Sequence, residues 1–376
     1  MRSDSIVCRK EDRSMCNHDR HSIFCILPPH ILTNIARGGS SEEREFALRT
    51  LALDQTMRTS RLTYSLVGGL KVPHPAASLA PPQEKRSIYE AGHTQDLPGK
   101  LVRGEGQPPA GDVAVNQAYD GLGDTFNFYF KAYDRNSIDN AGMPMIASVH
   151  YGKNYDNAFW NGQQMVFGDG DNVIFTGFTG STDVIGHELT HGVTGSEANL
   201  TYQGQPGALN ESISDVFGSM VKQYKLNQTA DQADWLIGAG ILAKGIHGVA
   251  LRSMKAPGTA YDDPKLGKDP QPADMAHYLH TGEDNGGVHI NSGIPNHAFF
   301  LVATALGGHS WEKAGQVWYD TLVDHNLKSH ATFATFAKLT IRHAGSQYGA
   351  GSTEQKAVRD AWHKVGVIKT GKAAAA

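Results

Sequence analysis

Hydrophobic positions change their spacing twice along the chain. Between residues 42 and 58, Phe46, Leu48, Leu51, Leu53 and Met57 recur at near-helical intervals and predict a helix. From Arg86 to about Gly180 the pattern is one of short alternating runs between glycine-rich turns. Residues 145–151, 164–168 and 173–178 are the clearest of these runs and predict strands. Beyond Ser181 helical spacing dominates, as in the stripe of Leu209, Ile213, Val216, Phe217, Met220 and Tyr224. Residues 73–85 carry Pro73, Pro75, Pro81 and Pro82 among small and polar residues, the composition of an exposed linker open to proteolysis. The predicted organisation is thus an N-terminal segment (1–72), a linker (73–85), a β-rich lobe (86–180) and an α-helical lobe (181–371), with no internal repeat.

The first candidate chemistry lies where the helical pattern begins. His187-Glu188-Leu189-Thr190-His191 places two histidines four residues apart on one helix face, roughly 6 Å apart along the axis, so both imidazoles reach one ion. Ser181 or Thr182 can cap this helix and Gly195 can end it. Gly186 and Gly192 each cost about 1 kcal/mol of helix propensity, which points to packing too close for a side chain. The motif alone also fits a buried helix with two satisfied histidines. The next stripe adds Glu211 and Asp215, four apart among apolar neighbours. A carboxylate in a buried helix needs a cation or a donor to offset desolvation. Zinc supplies it for Glu211 and completes a His₂Glu set with one position open to water. Asp215 is placed to accept a hydrogen bond from a ligating histidine and fix its tautomer.

These residues, followed by Gly207-Ala208-Leu209-Asn210-Glu211-Ser212-Ile213-Ser214-Asp215, resemble the thermolysin-like metallopeptidases. The resemblance runs from about Ile88 to Lys369 and is dense at Asn157-Ala158-Phe159-Trp160, Leu251-Arg252-Ser253-Met254 and residues 284–293. It implies an α+β fold of two lobes with zinc in the cleft between them, and a neutral endopeptidase. Glu188 is then the general base, and His289 and Tyr202 stabilise the oxyanion, with Asp284 orienting His289. Asn210 joins Asp215 in supporting the ligands. Asn157, Ala158, Trp160 and Arg252 would hold the substrate chain. Phe175, Phe178, Val184, Ile237, Ile241 and Leu251 match an apolar pocket, so cleavage is expected before bulky hydrophobic residues.

Two departures from the family pattern matter. Many relatives bind two calcium ions; here Asp183 and Asp234 match two ligands, but Lys222, Leu236 and Ala239 replace carboxylates. Lys222 can pair with Asp183, and the calcium site is expected to be absent. The segment before Arg86 is short, and residues 24–32 (Phe-Cys-Ile-Leu-Pro-Pro-His-Ile-Leu) resemble the inhibitory propeptide of the protealysin-like subgroup, with His30 in an aliphatic position. The expectation is a zymogen, blocked by its own propeptide and self-cleaved within 73–85. Cys25 could act as a zinc thiolate or be an ordinary buried cysteine.

Bulk composition changes little. Of 376 residues, 40% are hydrophobic and 19% charged, which suits globular domains. A net charge of −4 gives no reason to expect nucleic acid, and no apolar run reaches the ~18 residues of a membrane span. All three cysteines lie in the first 25 residues. The apolar stretch 23–29 is short for a secretion signal of roughly 7–15 residues, so a cytoplasmic location is expected, with export by a non-standard route left open. The partners expected are protein or peptide substrates, with a separate proteinaceous inhibitor as a further candidate. Two alternatives stay open: a zinc aminopeptidase, and a non-catalytic zinc-binding or interaction protein that keeps the fold.

Overall fold

The computed structural model describes residues 24–67 and 82–369. The linker's proline-rich part and the first 23 residues lie outside them. A short strand β1 (Phe24–Cys25) leads into helices α1 (Pro29–Gly38) and α2 (Ser41–Val67). Strands β2 (Arg86–Glu90) and β3 (Lys100–Gly104), helix α3 (Val113–Tyr133), and strands β4 (Met145–Val149), β5 (Ala158–Trp160) and β6 (Met165–Phe167) follow. They form one six-stranded sheet in the order β1-β5-β6-β4-β2-β3. Strands β2, β4 and β6 are mutually parallel, and β5 is antiparallel to both β6 and β1. Helices then dominate: α4 (Thr182–Ser196), α5 (Gly204–Leu226), α6 (Asp284–Asn291), α7 (Gly293–Leu306), α8 (Ala314–Leu322), α9 (Phe333–Tyr348) and α10 (Thr353–Lys364). The two-lobed α+β fold is as expected.

Three details differ from the sequence reading. Residues 173–178 are not a strand: Asp171 Oδ1 accepts from the backbone N–H groups of Val173, Ile174 and Phe175, and this turn replaces a ladder. The β-rich stretch contains the long helix α3, capped by Asp112 and ended by Asp134 in the left-handed region. Gly121 and Gly123 mimic turn residues in the sequence, but a Cβ at either would run into Ile185 or Arg86. Among the α2 residues whose side chains are described, Glu43, Ala47, Thr50 and Asp54 are buried, whereas Leu48 is exposed; Met57 lies outside them. The helix is bonded to the catalytic part through Glu43–Lys265 (2.6 Å) and through Asp54.

The site depends on how closely α4 and α5 pack. A Cβ on Gly186 would lie 3.1 Å from the Gly218 Cα, and one on Gly218 would lie 2.9 Å from the His187 nitrogen. The two glycines therefore let the helix carrying the histidine pair and the helix carrying Glu211 approach backbone to backbone. Gly192 is closed in similarly by Ile138 (2.6 Å) and Trp160 (3.1 Å). Ser181 holds the N-cap position of α4, but its hydroxyl bonds Asp183 instead of a backbone amide, and the helix continues past Gly195 to Ser196. On the far side of α4, Thr190 bonds Tyr129 of α3 (2.7 Å), and Tyr129 stacks on Phe217 of α5. The histidine helix is thus held between α3 and α5.

Candidate metal centre and cleft

His187, His191 and Glu211 converge in the closely packed region and are fully buried. The Nε2 atoms of the two histidines are 3.0 Å apart, and each lies 3.5 or 3.6 Å from a Glu211 oxygen. Metal–ligand bonds of about 2.0–2.1 Å in a tetrahedron give ligand separations of about 3.3 Å. Glu211 Oε2 is buried and accepts no hydrogen bond among the described residues, as expected of an atom reserved for a cation. Both Nδ1 atoms are occupied: His187 by Asp215 (2.8 Å), and His191 by Asn210 (2.8 Å) and Ser214 (3.0 Å). That leaves both Nε2 atoms for the metal. The donor set fits zinc.

Asp215 organises this shell. Besides His187 it accepts from Arg252 through two nitrogens (2.8 Å each) and from Asn296 (2.8 Å). Burial is the largest influence on Asp215 and pushes its pKa up, but the Arg252 charge and the His187 bond outweigh it and hold the pKa at about 2. For His187, burial again acts first, downward, and the Asp215 bond with the nearby Asp215 and Glu211 charges raises it to about 9. Metal therefore competes with a proton there.

Around the triad, the Trp160 N–H donates to Glu188 Oε2 (3.0 Å). Tyr202 donates to Glu211, and its hydroxyl lies 3.2 Å from His289 Nε2. Asp284 grips His289 twice, at Nδ1 (2.7 Å) and at the backbone N–H (2.9 Å). This grip needs the chain to reverse sharply. Asp284, Asn285, Gly286 and Gly287 all have positive φ, so the nominal first turn of α6 is not helical.

The inhibitory segment occupies the cleft, and it uses the residues expected to hold substrate. Phe24 and Cys25 pair antiparallel with Trp160 and Phe159. The Ile26 N–H donates to the Ala158 carbonyl (3.2 Å), and Asn157 Oδ1 accepts from the Leu27 N–H (3.1 Å). Arg252 Nη1 donates to the Ile26 carbonyl (2.9 Å), while His289 Nε2 lies 3.1 Å from the Cys25 carbonyl oxygen. The side chain of Cys25 packs with Tyr151, Tyr155, Phe159 and Val166, and it is not part of the metal cluster. His30 bonds the Tyr261 hydroxyl (2.8 Å), so its ring is anchored by a polar contact an aliphatic residue could not make. Phe175, Phe178, Val184, Ile237, Ile241 and Leu251 are all buried and share one apolar core with Ile26 and Leu27.

Sequence reasoning missed Asn296, Ser214 and Asp54. Asn296 is a buried amide in an apolar helix, a signal that was present. Asp54 accepts from the Tyr155 hydroxyl and from Asn157 Nδ2, each at 2.8 Å, so the propeptide holds Asn157 from both sides.

A histidine pair, a glutamate ligand and a filled cleft define a zinc hydrolase held shut by its own N-terminus. The chain matches the thermolysin metallopeptidase catalytic domain over residues 84–195 and the thermolysin metallopeptidase alpha-helical domain over residues 198–367. It belongs to this family and is a zinc-dependent metalloendopeptidase, which sets aside the aminopeptidase and non-catalytic readings. It is 56% identical over 345 residues to an extracellular metalloprotease of Pectobacterium carotovorum subsp. carotovorum, covering 92% of this chain and 96% of that one. It is 44% identical over 288 residues to an extracellular minor metalloprotease of Serratia marcescens, covering 77% and 79%. The structure is similar to that of the precursor of protealysin, a metalloproteinase from Serratia proteamaculans. The TM-score is 0.83 at 56% identity, covering 92% of this chain and 100% of that one. The likeness to a precursor agrees with the zymogen form seen here. Relatives named as extracellular overturn the expected cytoplasmic location. That expectation treated residues 23–29 as a failed export signal, but residues 24–29 run from β1 into the start of α1 and fill the cleft, so their length carries no information about destination.

Proposed function

We propose that Glu188 takes the proton of the attacking water and passes it to the leaving amine, while His289 and Tyr202 donate to the oxygen of the scissile carbonyl. When bound, zinc supplies an acidified water and a Lewis acid at that carbonyl. Asp284 keeps His289 oriented through bonds to its ring Nδ1 and its backbone N–H, so Nε2 faces the oxygen where negative charge develops. Substrate enters extended along β5, with Ala158, Asn157, Trp160 and Arg252 gripping its backbone. The observation that carries this reading is the propeptide itself: Cys25, Ile26 and Leu27 already make these backbone bonds, and the Cys25 carbonyl lies at His289. The apolar set from Phe175 to Leu251 favours cleavage before bulky hydrophobic residues.

Activation follows self-cleavage within residues 73–85, at the division between the propeptide and the two catalytic lobes, and the enzyme acts outside the cell. A protein inhibitor of the mature form would have to present an extended segment to Ala158 and Asn157 as the propeptide does. The family's double calcium site is lost. In support, the Lys222 ammonium stands 2.8 Å from Asp183, 2.9 Å from Asp234 and 2.8 Å from the Leu236 carbonyl, where a divalent ion would need its ligands.

Replacing Glu188 by alanine tests the catalytic assignment. With the propeptide removed by an added protease, hydrolysis of an unstructured protein is expected to vanish while the zinc at His187, His191 and Glu211 is retained. Retained turnover would assign the base elsewhere.

A further inference from the structure

The ends of the three parallel strands carry a second group of metal-ligating side chains, separate from the catalytic triad. His93 follows β2, His150 directly follows β4 and Asp169 follows β6, and these strands are neighbours in the sheet. The carboxyl ends of adjacent parallel strands are where loops converge and ligands bind. His150 Nδ1 lies 2.8 Å from Asp169 Oδ1, and His93 Nδ1 lies 3.4 Å from Asp169 Oδ2. One ligand atom from each of the three residues falls within 4.8 Å of the others.

Two further features suit a metal. His150 Nε2 is 2.9 Å from Asp112 Oδ2, so with Nδ1 on an ion its other nitrogen donates to a carboxylate, the usual support of a ligating histidine. Asp112 is itself fixed, because its other oxygen caps α3. Both histidines also have left-handed backbones, with φ of 58° and 56°, conformations uncommon among non-glycine residues and concentrated at constrained sites. The His93 N–H donates to the His150 carbonyl (2.8 Å), which ties the two ligand positions together.

We propose that His93, His150 and Asp169 form a second, partly exposed site for a zinc-class ion, with Asp112 supporting His150. Imidazole and carboxylate with an open position suit Zn²⁺, Ni²⁺ or Cu²⁺, and two nitrogens disfavour Ca²⁺. Bound there, the ion cross-links the three parallel strands and stabilises the β-rich lobe.

The test uses the uncut full-length chain and Zn²⁺ alone, read by metal content after gel filtration, by titration calorimetry and by melting temperature. The wild type is expected to hold two equivalents and to melt higher as zinc is added beyond the first. His93 is 60% exposed, so His93→Ala should fold normally, keep the first equivalent and lose the second together with the zinc-dependent rise in melting temperature. Asp112→Asn, which can still cap α3, should weaken the second equivalent by roughly 10–100-fold. A wild type that binds only one equivalent overturns the proposal. So does a second equivalent that survives with unchanged affinity in both His93→Ala and Asp169→Asn.

Discussion

Asp54 is the most exacting point at which to test how the zymogen stays shut. It is fully buried at the face where α2 meets the catalytic part, and it accepts from the Tyr155 hydroxyl and the Asn157 side-chain amide at 2.8 Å each. Asparagine at this position keeps the shape: its Oδ1 can still accept from Asn157, and its NH₂ can donate to the Tyr155 hydroxyl oxygen, which then accepts instead of donating. Both bonds lose their charge assistance, at about 1 kcal/mol each. The latch should weaken by about 2 kcal/mol, or roughly 30-fold in the closed-to-open ratio. The cost falls on the uncut chain only, because α2 precedes the cleavage region and Asn157 stays with the enzyme. The assay is a progress curve of peptide hydrolysis started from uncut protein, with the cut followed by mass spectrometry. Asp54→Asn should shorten the lag by an order of magnitude or more, and the mature enzymes from both chains should have the same kcat/KM. An unchanged lag in a normally folded variant would refute the assignment of Asp54 as a latch.

Other expectations follow from the packing and the charges. Gly218→Ala puts a methyl group into the backbone of α4 at Asp183 and His187; it should cost about 1–3 kcal/mol or more in thermal unfolding and lower zinc occupancy. Lys222→Met leaves Asp183 buried without its cation and should destabilise the chain by about 3 kcal/mol, whereas added calcium should leave the melting temperature of the wild type unmoved. Asp156 is buried, and desolvation, helped by the nearby Asp171, raises its carboxyl to about 8. The folded chain thus holds a proton that the unfolded chain releases near pH 4, so this residue lowers stability as pH rises from about 4 to 8. Asp156→Asn should therefore melt higher than the wild type at pH 8, with the gap closing toward pH 4 in paired unfolding scans.

The propeptide gives the fold a division of labour. Residues 25–27 and 31–35 bury apolar side chains in the main core or against the sheet, while α2 attaches through Glu43, Thr50 and Asp54. The polar seat of α2 leaves bonds that water can re-form on both surfaces once the segment departs.

The sequence by itself pointed to His187, His191 and Glu211, because helical spacing of four fixes which side chains share a face, and a buried carboxylate such as Glu211 needs a cation or a donor. The change from short alternating runs to helical spacing also pointed to a β-rich part followed by a helical part, as the order of elements shows. What the tertiary structure decided are contacts between residues distant along the chain. The Gly186–Gly218 approach, the Asn296 bond to Asp215, the polar seat of α2 around Asp54 and the meeting of His93, His150 and Asp169 depend on which elements pack together. Local periodicity reports which way a side chain faces within its own element, and only the packed fold reports what it faces.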